Sequence, residues 1–224
     1  MSLKGSGATS LREIDRWDGG FGWLAYPDEG MERASHAFVS DGDVWLVDPV
    51  DAEGLDDLLA EAGEVAGIVV LLDRHNRDAN DIAARHGVSV HRPAWMDSID
   101  SNYDVPVRDL GDEVDDTGYR VRKLRDSPVW REAYLHHPED GTLVVPEALG
   151  TASYFLTAGE RVGVHPMLRL LPPRELAGYD VERVVMGHGE GVMTDAAAAI
   201  RDTVRNSRRR APGLYVEAMR EFLR

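Results

Sequence analysis

The chain has 224 residues, 43% of them hydrophobic, with 40 Asp and Glu against 25 Lys and Arg, a net charge of −15 and no cysteine. That length suits a single α/β or α+β domain over 1–224, and the apolar content can fill a core. So negative a surface repels phosphate backbones and anionic lipid, and the missing cysteines exclude disulfides, thiolate zinc sites and cysteine nucleophiles.

No window approaches the roughly 18 consecutive apolar residues of a membrane span. Residues 1–20 carry no apolar signal region and read as a loose N-terminal arm, so the protein is expected to be cytoplasmic. Only Lys4 and Lys123 are lysines, and an Asp-rich, Lys-poor composition resembles that of acidic halophilic proteins. Nucleic acid and membrane are not expected as partners; an unknown small molecule and a second copy of the chain are left open.

Residues 35–50, SHAFVSDGDVWLVDPV, alternate apolar and polar around Asp41 and Gly42, which predicts a hairpin, and Pro49 ends its second strand. Over 52–63, Leu55, Leu58 and Leu59 fall at helical spacing with Gly63 as the cap. The uninterrupted run GIVVLL, 67–72, predicts a strand buried on both faces. A helix over 79–87, stopped by Gly87, and a strand over 88–93 follow. Residues 119–149 alternate, with turn signals at Ser127 and Pro128 and again at Asp140 and Gly141, which predicts antiparallel strands. Next come a short helix, the strand VERVVM and His188 between two glycines. The Ala-rich tail, 194–224, predicts C-terminal helices broken near Ala211, Pro212 and Gly213.

Chemistry concentrates where the apolar strand ends, in Asp73, Arg74, His75, Asn76, Arg77 and Asp78. With the hairpin ending Val47, Asp48, Pro49, the strand GTLVVPEALG and the late VVMGHG, this order resembles the metallo-β-lactamase superfamily from about Phe38 to about Asp195. The resemblance implies an α+β fold, an αββα sandwich of two mixed sheets flanked by helices. It also implies one or two Zn or Fe ions, held in that family by a His-x-His-x-Asp-His turn, a bridging Asp after the "G-x-L" strand and a final His.

The match to those ligands is partial. With Asp78 on the motif's Asp, the preferred register, its His positions hold Arg74, Asn76 and Ala79; the alternative register uses Asp73, His75, Arg77 and Asp78. Glu147 stands at the bridging Asp and His188 at the final His, while Ser127 and Pro128 occupy the region of the middle His. The pocket candidates are therefore Arg74, His75, Asn76, Arg77, Asp78, Glu147 and His188.

An inward Arg74 about 4 Å from a cation would repel it by about 4 kcal/mol per unit charge at an effective dielectric near 20. No metal is therefore expected, and Arg74 or Arg77 is expected to pair with Glu147 or Asp78 instead. A remaining single Zn or Fe ion would rest on Asp78, Glu147 and His188, with His75 as a further ligand. His136 and His137 are adjacent on a strand and face opposite ways. His36, His86, His91 and His165 read as ordinary surface or core histidines, and Asp78 could equally cap the helix after it.

Neither a Gly-x-Ser-x-Gly elbow nor a Walker-type phosphate loop is present. Arg208, Arg209 and Arg210 could meet an anionic ligand or an acidic patch of a second subunit, or simply be a solvated helix end. Two functions follow from this degenerate motif: a non-hydrolytic binding or assembly module that has lost its dinuclear site, or a single-metal hydrolase of a small ester, thioester or lactone.

Overall fold

The computed structural model describes residues 2–157 and 159–222. Seven strands form the first sheet in chain order: β1 (Arg12–Trp17), β2 (Gly20–Leu24), β3 (Ala34–Ser40), β4 (Asp43–Val47), β5 (Glu64–Val69), β6 (Val90–Pro93) and β7 (Val107–Leu110). Pairing is antiparallel from β1 to β4 and parallel from β4 to β7. Parallel neighbours need crossovers, and α1 (Leu55–Ala62) and α2 (Ala79–His86) supply two of them. In the second sheet β8 (Arg120–Ser127), β9 (Trp130–His137) and β10 (Thr142–Val145) are antiparallel neighbours, and β13 (Arg183–Met186) lies parallel to β10. A short ribbon pairs β11 (Leu149–Gly150) with β12 (Gly163–Val164), and α3 (Ala196–Phe222) follows β13.

Side chains on a strand alternate between its faces, and that alternation sorts the core into layers. Val144 of β10 and Val185 of β13 meet Phe38, Trp45, Val47 and Val69 of the first sheet. Their neighbours Leu143, Val145, Val184 and Met186 face the other way, onto Ala199, Ile200 and Val204 of α3. On the far side of the first sheet, Leu46, Ile68 and Val70 pack under Leu55 and Leu59 of α1 and Ile82 of α2. Each fully buried Val, Leu or Ile is worth about 1.5–3 kcal/mol, so a one-residue slip in these strands would forfeit a whole layer. Helix, sheet, sheet, helix is the αββα order of the resemblance.

Within the expected N-terminal arm, residues 12–17 are not loose, because β1 pairs with β2 and sets Ile14 into a small cluster with Leu24 and Ala34. Glycines hide β2 from a periodicity reading. At Gly22 a Cβ would stand 2.6 Å from the His36 ring, so the close approach of β3 demands glycine there. The C-terminal tail is one helix running through Pro212 rather than two broken there. Its buried stripe of Ile200, Val204, Ser207, Ala211 and Leu214 continues on both sides of the proline, and this packing offsets a penalty of about 3 kcal/mol. Among the described residues no helix is long and apolar enough to cross a membrane.

Candidate metal centre

The apolar run does not stop at β5. It continues buried through Leu71 and Leu72, and Leu72 bridges Glu132 of β9, so the two sheets touch where the chemistry-bearing turn begins. Onto this same edge of the sandwich come the residues after β4, β10, β12 and β13, namely Asp48, Glu147, His165 and His188.

Glu147 is the centre. Its Oε2 lies 2.9 Å from His75 Nε2 and 3.0 Å from His188 Nε2, and its Oε1 lies 3.2 Å from His165 Nε2. The donor atoms of His75, Glu147 and His188 all lie within 4.8 Å of one another. The three residues are 6%, 7% and 1% exposed, which makes the cluster almost dry.

The outer nitrogens of two rings decide what the inner ones can do. His188 Nδ1 is 2.8 Å from the carbonyl of Met31, and His75 Nδ1 is 3.0 Å from Asp48 Oδ2. A carbonyl and a carboxylate only accept, so each Nδ1 carries a ring proton, and in the neutral ring each Nε2 presents a lone pair to Glu147. Metal-ligating histidines show this arrangement. Unbridged, three mutually facing acceptors would each cost about 1–3 kcal/mol; a cation, or an added proton on each ring, removes that cost. Burial first, and then the neighbouring His75 and Arg77, hold the His188 ring below its ordinary pKa despite Glu147, which disfavours the added proton. Burial raises the Glu147 carboxyl, but the contacts from His165, His188 and His75 outweigh it and leave the group well below the usual carboxylate range; the share due to His188 and His75 requires a proton on each Nε2, the place an ion would take. The donor set of two imidazoles and one carboxylate therefore fits a divalent ion such as Zn²⁺ or Fe²⁺.

Backbone geometry aims these groups. Asp48 has a φ of +44°, and while its Oδ2 holds His75 its Oδ1 accepts from the amide of Leu71. Glu132 is fully buried and accepts from the amides of Glu147 and Ala148 and from the indole N–H of Trp130. His188 sits between glycines because Gly189 has a φ of +84° and Gly187 faces Pro146 and Arg77. Trp130 and Phe155 press their rings on His165, and Tyr154 and Phe155 theirs on His188, at centroid distances of 5.0–6.0 Å.

The remaining candidates lie elsewhere. Arg74 is turned outward, its guanidinium 4.3 Å from the centre of the Trp130 ring, so the repulsion expected of an inward Arg74 does not arise. Arg77 does point inward. Instead of pairing with Glu147 or Asp78, it donates to the carbonyls of Ala34, Asp48 and Gly187, and its Nε is buried without a partner among the described residues. Asn76 accepts from the Tyr103 hydroxyl. Asp78 is the N-cap residue of α2 without a side-chain cap bond, and its carboxylate accepts from the amide of Asp51, away from the cluster. Of the two registers, the alternative one supplies the imidazole that reaches Glu147. Asp48 and His165, neither of them among the candidates, complete the centre. An Asp closing a buried strand just before Pro49 was the available signal for the first; nothing local to His165 separates it from any other histidine.

No family model and no curated protein sequence matches the chain. Solved structures do. DIM-1 metallo-β-lactamase is 15% identical over 90% of this chain and 98% of that chain, with a TM-score of 0.62. The metallo-β-lactamase from Pontibacter korlensis is 13% identical over 88% of this chain and 100% of that one, at 0.63. That from Hirschia baltica is 9% identical over 88% and 97%, at 0.61. The chain thus has the metallo-β-lactamase fold, an α+β sandwich, with a His/Glu/His group that could bind metal at one edge.

Proposed function

We propose that this protein holds one divalent ion, Zn²⁺ or Fe²⁺, on His75, Glu147 and His188, and acts as a single-metal hydrolase of a small ester, thioester or lactone. The observation that carries this reading is the commitment of both outer ring nitrogens, which leaves two Nε2 lone pairs converging on one carboxylate oxygen. When bound, such an ion supplies Lewis-acid polarisation of a carbonyl and lowers the pKa of water. Asp48 and the Met31 carbonyl orient the two imidazoles, and Trp130, Tyr154 and Phe155 limit the entry of bulk water. The dinuclear site of the family is reduced to one position in this reading, because in the register that supplies His75 the motif's Asp position holds Arg77, which is committed to three carbonyls, and its last His position holds Asp78, which turns away to the Asp51 amide.

A second reading is a metal-free, non-hydrolytic binding or assembly module of unknown ligand. The near-complete burial of the cluster favours it, since a substrate needs access. The two are separated by assaying a panel of activated esters, thioesters and lactones with the chain after loading with Zn²⁺ or Fe²⁺. Metal-dependent turnover that disappears in Glu147→Gln and His188→Ala supports the hydrolase. A loaded protein that turns over none of the panel sinks the hydrolase, and protein that retains no ion as well favours the metal-free module.

A further inference from the structure

His165 is the third imidazole on Glu147, but its ring is wired in the opposite sense to the other two. Its Nδ1 lies 3.2 Å from the amide nitrogen of Met167, and an amide N–H can only donate. The ring proton therefore sits on Nε2, 3.2 Å from Glu147 Oε1. His165 thus presents an N–H, where His75 and His188 present lone pairs. Trp130 and Phe155 clamp the ring edgewise at 5.0 and 5.3 Å, so it is not free to turn over. The same buried Glu132 that accepts from the Trp130 indole also accepts from the Glu147 amide, which ties clamp and carboxylate to one anchor.

We infer that His165 is a positioning residue that occupies Oε1 of Glu147 and leaves only Oε2 for an ion, so that the site selects Zn²⁺-like over Mn²⁺- or Ca²⁺-like cations. This rests on the one-metal reading above. Large hard cations gather many oxygens and often take a carboxylate through both of them, whereas a small imidazole-bound ion is satisfied by one. A carboxylate with one oxygen already hydrogen-bonded to a fixed donor is biased to the second kind. His165 does not itself ligate, because its inner nitrogen is protonated.

The test titrates the full chain with Co²⁺, whose visible absorption is several-fold stronger at low than at six-fold coordination, and measures competition of Mn²⁺ against Zn²⁺. His165→Leu removes the donor; His165→Gln keeps an N–H of similar reach. The expected result is a weaker Co²⁺ band in His165→Leu, with the preference for Zn²⁺ over Mn²⁺ reduced by about tenfold or more, and recovery of both in His165→Gln. An unchanged band and preference in His165→Leu, or equal loss in both variants, overturns the inference alone. Failure of the unmodified chain to bind Co²⁺ at all overturns the one-metal reading and this inference with it.

Discussion

His75 Nε2 and Glu147 Oε2 lie 2.9 Å apart, the imidazole carried by the turn that follows β5 of the first sheet and the carboxylate by the turn that follows β10 of the second. An ion between them would fasten the two sheets together. Ligand that binds only the folded state stabilises it by about 2.7 kcal/mol at a hundredfold excess over Kd. Zn²⁺ is therefore expected to raise the Tm, a chelator to reverse the rise, and His75→Ala to abolish it. Differential scanning calorimetry checks this, and a Tm indifferent to Zn²⁺ in the unmodified chain would count against the site.

Arg77 and Arg74 differ in what their loss should cost. Arg77→Leu takes a donor from the carbonyls of Ala34, Asp48 and Gly187, of which Asp48 keeps the Ser35 hydroxyl and Gly187 the Ala34 amide, at about 1–3 kcal/mol for each buried acceptor left unsatisfied. Arg74→Ala gives up an exposed cation–π contact with Trp130, about 0.5–1 kcal/mol. Urea denaturation should rank the two far apart; equal destabilisation would show that the inward guanidinium is not holding the strand ends.

Glu132→Ala leaves three buried donors, the amides of Glu147 and Ala148 and the Trp130 indole, without their acceptor. We expect a loss of several kcal/mol in stability at about 1–3 kcal/mol per donor. In protein that still folds, metal affinity should drop by about 10–100-fold. Calorimetric titration with Zn²⁺ reads the second effect. Wild-type affinity in a destabilised Glu132→Ala would limit the residue to a packing role.

Acid should reach Glu29 only below the ordinary carboxylate range. Burial raises its carboxyl, but bonds from the Arg33 side chain and the amides of Gly5 and Arg33 prevail, so its pKa lies below the ordinary 4.5. A folded pKa lower than the unfolded one contributes stability that is complete above the unfolded value and is lost as pH falls through the folded value. Urea midpoints should hold between pH 7 and 5 for this group and decline below about 4. Glu29→Gln should be less stable at neutral pH and should flatten part of that decline; an identical acid profile in the variant would contradict the assignment.

Much of this architecture is visible in short-range pattern. The β3 and β4 hairpin shows as alternation around Asp41 and Gly42, and the end of α2 shows as Gly87. Glu147 and His188 stand out through the resemblance, which sets them at the bridging Asp and the final His, and for His188 the flanking glycines add a local mark. What stays hidden depends on topology or on a single torsion. His165 reaches Glu147 only because β11 and β12 pair, and Leu149 opposite Val164 carries no pattern longer than a residue or two. The arginine that turns inward, Arg77, has a φ of +43°, which spacing does not reveal. β2 is concealed by Gly20 and Gly22, required by close neighbours rather than by a turn.

The most direct test of the central claim is the number of metal ions per chain. Protein stripped of metal, dialysed against Zn²⁺ and subjected to elemental analysis should retain one ion, and Glu147→Gln and His188→Ala should retain none. Two ions per chain would mean that the second position of the family survives; no ion at all, in folded protein, would mean that the two imidazoles meet Glu147 as proton donors and the centre holds no metal.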